Sequence, residues 1–184
     1  GIRFSNAYAL PMCSPTRASI LTGRYPFRHG VGSPAGANLP SSELTLAEAM
    51  SAHTEFALGS VGKWHLGGGN TGPRDTGGWP YFAGSLGSGV EDYSNWQKII
   101  TIGDEPPQSI VSSTYATTDT TNDAISWIQD QADQPWFCWV AYNAAHSPFH
   151  DPPSTISGKE NPFAGARGNR NRFEAMLWAM DSEI

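Results

Sequence analysis

The sequence is poor in cysteine, in positive charge and in long apolar runs, and each shortage closes off a class of protein. Only Cys13 and Cys138 occur among 184 residues. Two thiols cannot build a disulfide scaffold, and their spacing matches neither a zinc ribbon nor a C-x-x-C redox pair. Lys and Arg total 11 against 17 Asp and Glu, a formal net charge of -6. No basic run offsets that balance, so the chain has no field with which to hold a nucleic-acid backbone. The longest apolar stretch, Trp136 to Ala141, falls far short of the roughly 20 residues that span a bilayer.

Loop chemistry is what the chain has in quantity. Gly 20 and Pro 14 stand beside a 39% hydrophobic fraction, a balance that suits one loop-rich domain, or part of one, with a real core. The residues from Arg3 to Ala9 alternate loosely and predict a short strand. Pro15 suits a first helical turn, Ala18, Ile20 and Leu21 continue it, and Gly23 ends it, which places Cys13 at a helix N-terminus. A short amphipathic helix is predicted around Leu44 to Met50, and Phe56 to Val61 reads as a buried strand running into a loop that carries Lys63 and His65. From Gly67 to Pro107 the pattern predicts loops with short strands over one edge of a sheet.

Thr118 to Gln131 places Ala124, Ile125 and Ile128 at helical spacing. Trp136 to Tyr142 is a continuous apolar run, the pattern of a strand covered on both faces of a parallel sheet, and it ends just before His146. Arg172 to Ile184 is helical in pattern. Helices alternating with strands that end in polar residues predict an open α/β sheet with its site at the carboxyl edge. That edge collects Lys63, His65 and His146.

Three segments carry the chemistry. The stretch from Pro11 to Arg24, centred on Cys13-Ser14-Pro15-Thr16-Arg17 and followed by Tyr25-Pro26, resembles the first signature of the sulfatase family over its whole length. Gly62-Lys63-Trp64-His65-Leu66-Gly67 resembles the second, although Glu55 stands upstream where Gly is usual and Leu58 where Ser or Thr is usual. Asn143-Ala144-Ala145-His146-Ser147-Pro148-Phe149 resembles a further sulfatase segment, with Ala145 where Pro is common. Without the cysteine motif, a lone Lys-x-His on a loop would read as solvated surface, and Cys138 reads as a core residue of its strand.

The resemblance implies an alkaline-phosphatase-like fold, an open, mostly parallel sheet flanked by helices. It implies that residues 1–184 are the central part of a single catalytic domain, without its first strand and its C-terminal portion, and inactive by themselves. A maturation enzyme would oxidise Cys13 to formylglycine, whose hydrate attacks sulfur. A helix N-terminus and a guanidinium at Arg17 suit an anionic diol and an incoming sulfate. By the same resemblance Lys63 binds a sulfate oxygen, His65 accepts a proton as sulfate leaves, and His146 protonates the leaving alcohol. Imidazoles near neutral pKa suit both transfers.

Ser88 is a further sulfate contact in that reading, and His29, His150 and Asp151 are weaker candidates, with Asp151 leaning to a Pro-rich turn. The family's divalent cation, usually calcium, takes hard oxygen ligands. Of its ligands only position 13, as formylglycine, would lie in this chain. The expected substrate is a sulfated small molecule or carbohydrate, in a periplasmic or extracytoplasmic setting. Two alternatives stand beside this reading: hydrolysis of phosphonate or phosphate esters by the same nucleophile, and a non-catalytic sulfate-binding fragment.

Overall fold

The computed structural model describes residues 3–184. Its frame is a five-stranded sheet formed by β1 (Ala57–Lys63), β2 (Tyr81–Ser85), β3 (Trp96–Ile102), β4 (Gln108–Ser112) and β5 (Trp136–Ala141), in the order β4-β3-β2-β1-β5. β1 lies at the centre of a parallel core, with β2 on one side and β5 on the other. β3 and β4 extend the sheet antiparallel beyond β2. A two-stranded ribbon of β6 (Thr155–Ile156) and β7 (Lys159–Glu160) stands apart.

Alternation along the strands decides which helices cover which face. Leu58, Phe82 and Ile99 join a core with Ala18, Leu21, Ala47 and Trp79, so α1 (Cys13–Thr22) and α3 (Leu46–His53) lie on that face, joined by the one-turn α2 (Pro26–His29). Val61 and Ala83 point the other way, against Ala124 on α5 (Ala116–Asp130). The single turn α4 (Gly72–Asp75) precedes β2, and α6 (Asn169–Glu183) closes the chain against Tyr93, Tyr115 and Ile156 through Met176 and Ala179. Each period-2 strand thereby buries apolar side chains on both faces, as a covered parallel sheet requires.

Local chemistry sets the helix ends. Gly23 takes the left-handed conformation (φ 65°) and returns its N–H to the Ser19 carbonyl, stopping α1 where the sequence placed a glycine. α3 begins with a capping box in which the Glu48 N–H donates to the Thr45 hydroxyl and the Thr45 N–H donates to the Glu48 carboxylate, at 3.2 and 2.8 Å.

Two sequence expectations change. Residues 3–9 run without a strand partner among the described residues; loose alternation with no neighbouring edge to join does not make a strand. β5 is the edge strand of the described sheet and its first residue, Trp136, is 43% exposed, yet Phe137 and Trp139 pack on one core and Cys138 and Val140 on the other, so both of its faces are covered as its apolar run predicts. The segment from 67 to 107 supplies β2 and β3, one of them in the parallel core. The Gly-rich composition hides β2 because Gly84 packs its backbone against Gly62 of β1, where a Cβ would collide.

Candidate active site

The three parallel strands end side by side, and their ends meet the start of α1. Cys13 is the first residue of that helix, behind an extended Met12 that offers no side-chain cap. The first-turn N–H groups are therefore left to whatever occupies the position in front of them. The turn is held from below: the Ser14 hydroxyl donates to the His65 carbonyl at 2.9 Å, and the Thr16 hydroxyl donates to the Leu10 carbonyl at 2.8 Å. Cys13 is partly exposed and unpaired. It lines an open cleft of about 490 Å³ together with Arg17, Lys63, Asn143 and His146.

Arg17 is placed otherwise than a free sulfate clamp would be. Its Nε donates to the Trp64 carbonyl at 2.6 Å, its Nη2 donates to the Lys63 carbonyl, and its guanidinium lies 4.6 Å from the Trp139 ring centroid. Burial lowers its pKa to about 10, opposed by the Cys13 charge, so it remains a cation at neutral pH. Its donors secure the end of β1, while its charge still bears on the cleft.

Lys63 is the last residue of β1 and is 5% exposed. Its ammonium donates to the Ser88 carbonyl. Burial lowers its pKa, Cys13 opposes the shift and Arg17 reinforces it. Ser88 thus meets the site through its carbonyl, while its exposed hydroxyl borders a neighbouring cavity shared with His146 and Glu91.

His65 follows two residues later with φ 55°, a left-handed backbone rare for a residue with a side chain. Burial pushes its pKa down to about 4, and the charges of Lys63, Arg17 and His146 add to that. It is neutral at pH 7, and its Nδ1 is buried without a partner among the described residues. His146 sits in a turn closed by its own N–H donating to the Asn143 carbonyl at 2.9 Å. Its Nδ1 lies 2.9 Å from the Ser147 carbonyl and can only donate to it, which leaves Nε2 for other partners. The ring packs on Gly89, where a Cβ would press against it.

The weaker candidates fall elsewhere. His29 is buried; it accepts the Val31 N–H at Nδ1 (3.1 Å), so its Nε2 donates to the Ser19 hydroxyl (3.1 Å), and burial lowers its pKa. It ties α1 to α2. His150 lies between Tyr93 and Tyr115, and Asp151 accepts the Gly165 N–H at 2.6 Å, a contact between loops 14 residues apart and not one within a Pro-rich turn. Burial raises the Cys138 thiol to about 11, as suits a core residue. Among the described residues, no group of three or more His, Cys, Asp or Glu side chains converges to hold a metal. These residues therefore do not supply calcium's set of hard oxygens.

Sequence reasoning passed over Asn143, whose side-chain oxygen accepts the Ser85 hydroxyl at 3.0 Å across the end of β1. The signal was there, since Asn143 is the first polar residue after Tyr142 at the end of the apolar run.

Residues 1–181 match the family model for sulfatases. The chain is 33% identical over 172 residues to an arylsulfatase of Hemicentrotus pulcherrimus, covering 80% of this chain and 31% of that protein. It is 30% identical to arylsulfatase J of Mus musculus, covering 100% of this chain and 33% of that protein. The chain thus spans about a third of the length of these curated relatives. A protein solved in complex with its substrate D-glucosamine-2-N, 6-O-disulfate superposes with a TM-score of 0.67 at 26% identity, over 82% of this chain and 28% of that one. A sulfatase from Pseudoalteromonas sp. has the same fold, with a TM-score of 0.68 at 17% identity over 96% of this chain and 41% of its own.

Proposed function

The chain belongs to the sulfatase family, and on that premise we propose that the full-length protein hydrolyses sulfate monoesters in the cleft beside Cys13. The family generally uses a formylglycine and a divalent cation. In this reading Cys13 is the residue that a maturation enzyme converts, the cation is calcium held mainly by residues outside 1–184, and this chain is the central part of the catalytic domain.

The observation that carries the reading is the convergence of Cys13, Lys63 and His146 on one cleft, with His65 held neutral beside them. Formylglycine, once formed at position 13, supplies as its hydrate the hydroxyl that attacks sulfur. Lys63 binds a sulfate oxygen: its ammonium is desolvated, so its attraction for an anion is little screened. Arg17 anchors the carbonyls of Lys63 and Trp64 and thereby fixes where that ammonium and the His65 ring stand. His146 holds one proton at Nδ1 against the Ser147 carbonyl and delivers the other from Nε2 to the ester oxygen as the S–O bond breaks. His65 accepts the proton that must leave when sulfate is released.

The substrate in this reading is a sulfated carbohydrate or small molecule. The relative bound to a sulfated glucosamine supports the carbohydrate. The test is relative turnover of matched sulfate and phosphonate esters by the full-length protein. A clear preference for sulfate is expected; preferential cleavage of the phosphonate would reassign the substrate class.

A further inference from the structure

The strap that carries His146 is pinned by a residue outside the signatures. Tyr93 lies in the loop between β2 and β3 and is 2% exposed. Its hydroxyl is 2.9 Å from the Asn143 carbonyl and 2.9 Å from the His146 carbonyl. Both acceptors are carbonyls, so the single phenolic proton is shared between them in a three-centre bond. The two carbonyls are the ends of the turn that the His146 N–H closes onto Asn143. One buried hydroxyl therefore fixes both ends of the four-residue turn from which the imidazole projects.

The ring of Tyr93 does a second job. It packs against His150 with centroids 4.4 Å apart and the two planes tilted by 38°. His150 is itself oriented: its Nδ1 donates to the Pro148 carbonyl at 2.9 Å, and its Nε2 accepts the Tyr115 hydroxyl at 3.0 Å. The segment from 143 to 150 is held at its start by the Tyr93 hydroxyl and at its end by the Tyr93 ring and Tyr115. Burial raises the Tyr93 pKa, so the phenol keeps the proton that both bonds need. Nothing in the proposed reaction uses Tyr93 directly, and its hydroxyl is not among the groups lining the cleft.

We propose that Tyr93 is a positioning residue for proton delivery by His146, acting through the backbone of the turn and not by touching substrate. The inference rests on the reading of His146 as the acid for the leaving alcohol. A misaimed acid slows only those esters whose leaving oxygen needs a proton. An alkyl or sugar sulfate needs one, because an alkoxide is a poor leaving group, whereas a nitrophenolate departs nearly unaided. A residue needed only for folding would slow both alike.

The experiment compares Tyr93→Phe and His146→Ala in the full-length, formylglycine-bearing enzyme on an alkyl sulfate and on nitrophenyl sulfate. Phe keeps the buried ring and its contact with His150, and an unchanged thermal midpoint checks that the variant folds as its parent does. For Tyr93→Phe the expected result is a fall in kcat of about tenfold on the alkyl ester and less than about twofold on the aryl ester, a fraction of the effect of losing the acid itself. His146→Ala should show the same asymmetry at larger size. If His146→Ala discriminates between the esters while Tyr93→Phe slows both equally or neither, the role of Tyr93 is overturned and that of His146 stands. If His146→Ala slows both esters equally, the acid assignment fails and the Tyr93 proposal fails with it.

Discussion

At the scale of single residues, the site depends on keeping one imidazole neutral among cations. Burial lowers the His65 pKa to about 4 from an ordinary 6.5, and the neighbouring charges of Lys63, Arg17 and His146 add to that. If it is the base for sulfate release, the acid limb of the kcat profile governed by His65 falls near pH 4. Replacing Lys63 by Met removes one of the cations and moves that limb upward; a limb unmoved in Lys63→Met contradicts the electrostatic account. The linkage to stability has a definite sign. The folded pKa lies below the unfolded one, so the unfolded chain binds more protons between pH 6.5 and 4, and the contribution of His65 to stability is lost as pH falls through that window. The residue-level reading from sequence placed Lys63, His65 and His146 at one sheet edge because each follows a strand. It could not foresee that Arg17 would turn its donors to the Lys63 and Trp64 carbonyls, since nothing in local spacing records a contact 46 or 47 residues away.

At the scale of elements, two of the contacts between the sheet and α5 each make a prediction. Gly59 of β1 lies beneath the Trp127 indole, so a methyl group there would stand 2.7 Å from the ring. Gly59→Ala is expected to cost about 1–3 kcal/mol by overpacking, read in denaturant unfolding. An unchanged midpoint would show that the indole moves freely. Lys98 of β3 is buried between Asp119 and Asp123 of α5, at 2.9 and 2.7 Å. Burial disfavours its charge, but the two carboxylates prevail and raise its pKa, while burial raises that of Asp123 against the pull of Lys98. Lys98→Met leaves two carboxylates buried without their cation and is expected to cost about 3–5 kcal/mol. A loss below about 1 kcal/mol would mean the carboxylates reach water at little cost.

The helices around these contacts were legible from spacing and end signals: Gly23 stops α1, and the apolar positions of α5 recur at helical period. β2 was not, because its Gly84 satisfies a packing demand from a neighbouring strand and carries no strand signal of its own. The edge position of β5 was also hidden, since an apolar run does not say how many neighbours a strand has.

At the scale of the molecule, an acidic chain concentrates its cations where they are needed. The formal net charge is -6 and only three lysines occur, yet Arg17 and Lys63 both stand beside Cys13 at the carboxyl ends of the parallel strands. That edge, where β1, β2 and β5 finish together, is where open α/β sheets place their ligands. The fold class could therefore be read before the structure, and the family match over residues 1–181 agrees with it. The central claim is that sulfate-ester hydrolysis by the full-length protein runs through the side chain made from Cys13. The measurement that tests it most directly is sulfate release from nitrophenyl sulfate by the matured full-length protein and by its Cys13→Ala variant, compared at equal folded concentration. Turnover by the parent and none by the variant is the predicted result; a variant that still turns over would contradict the account.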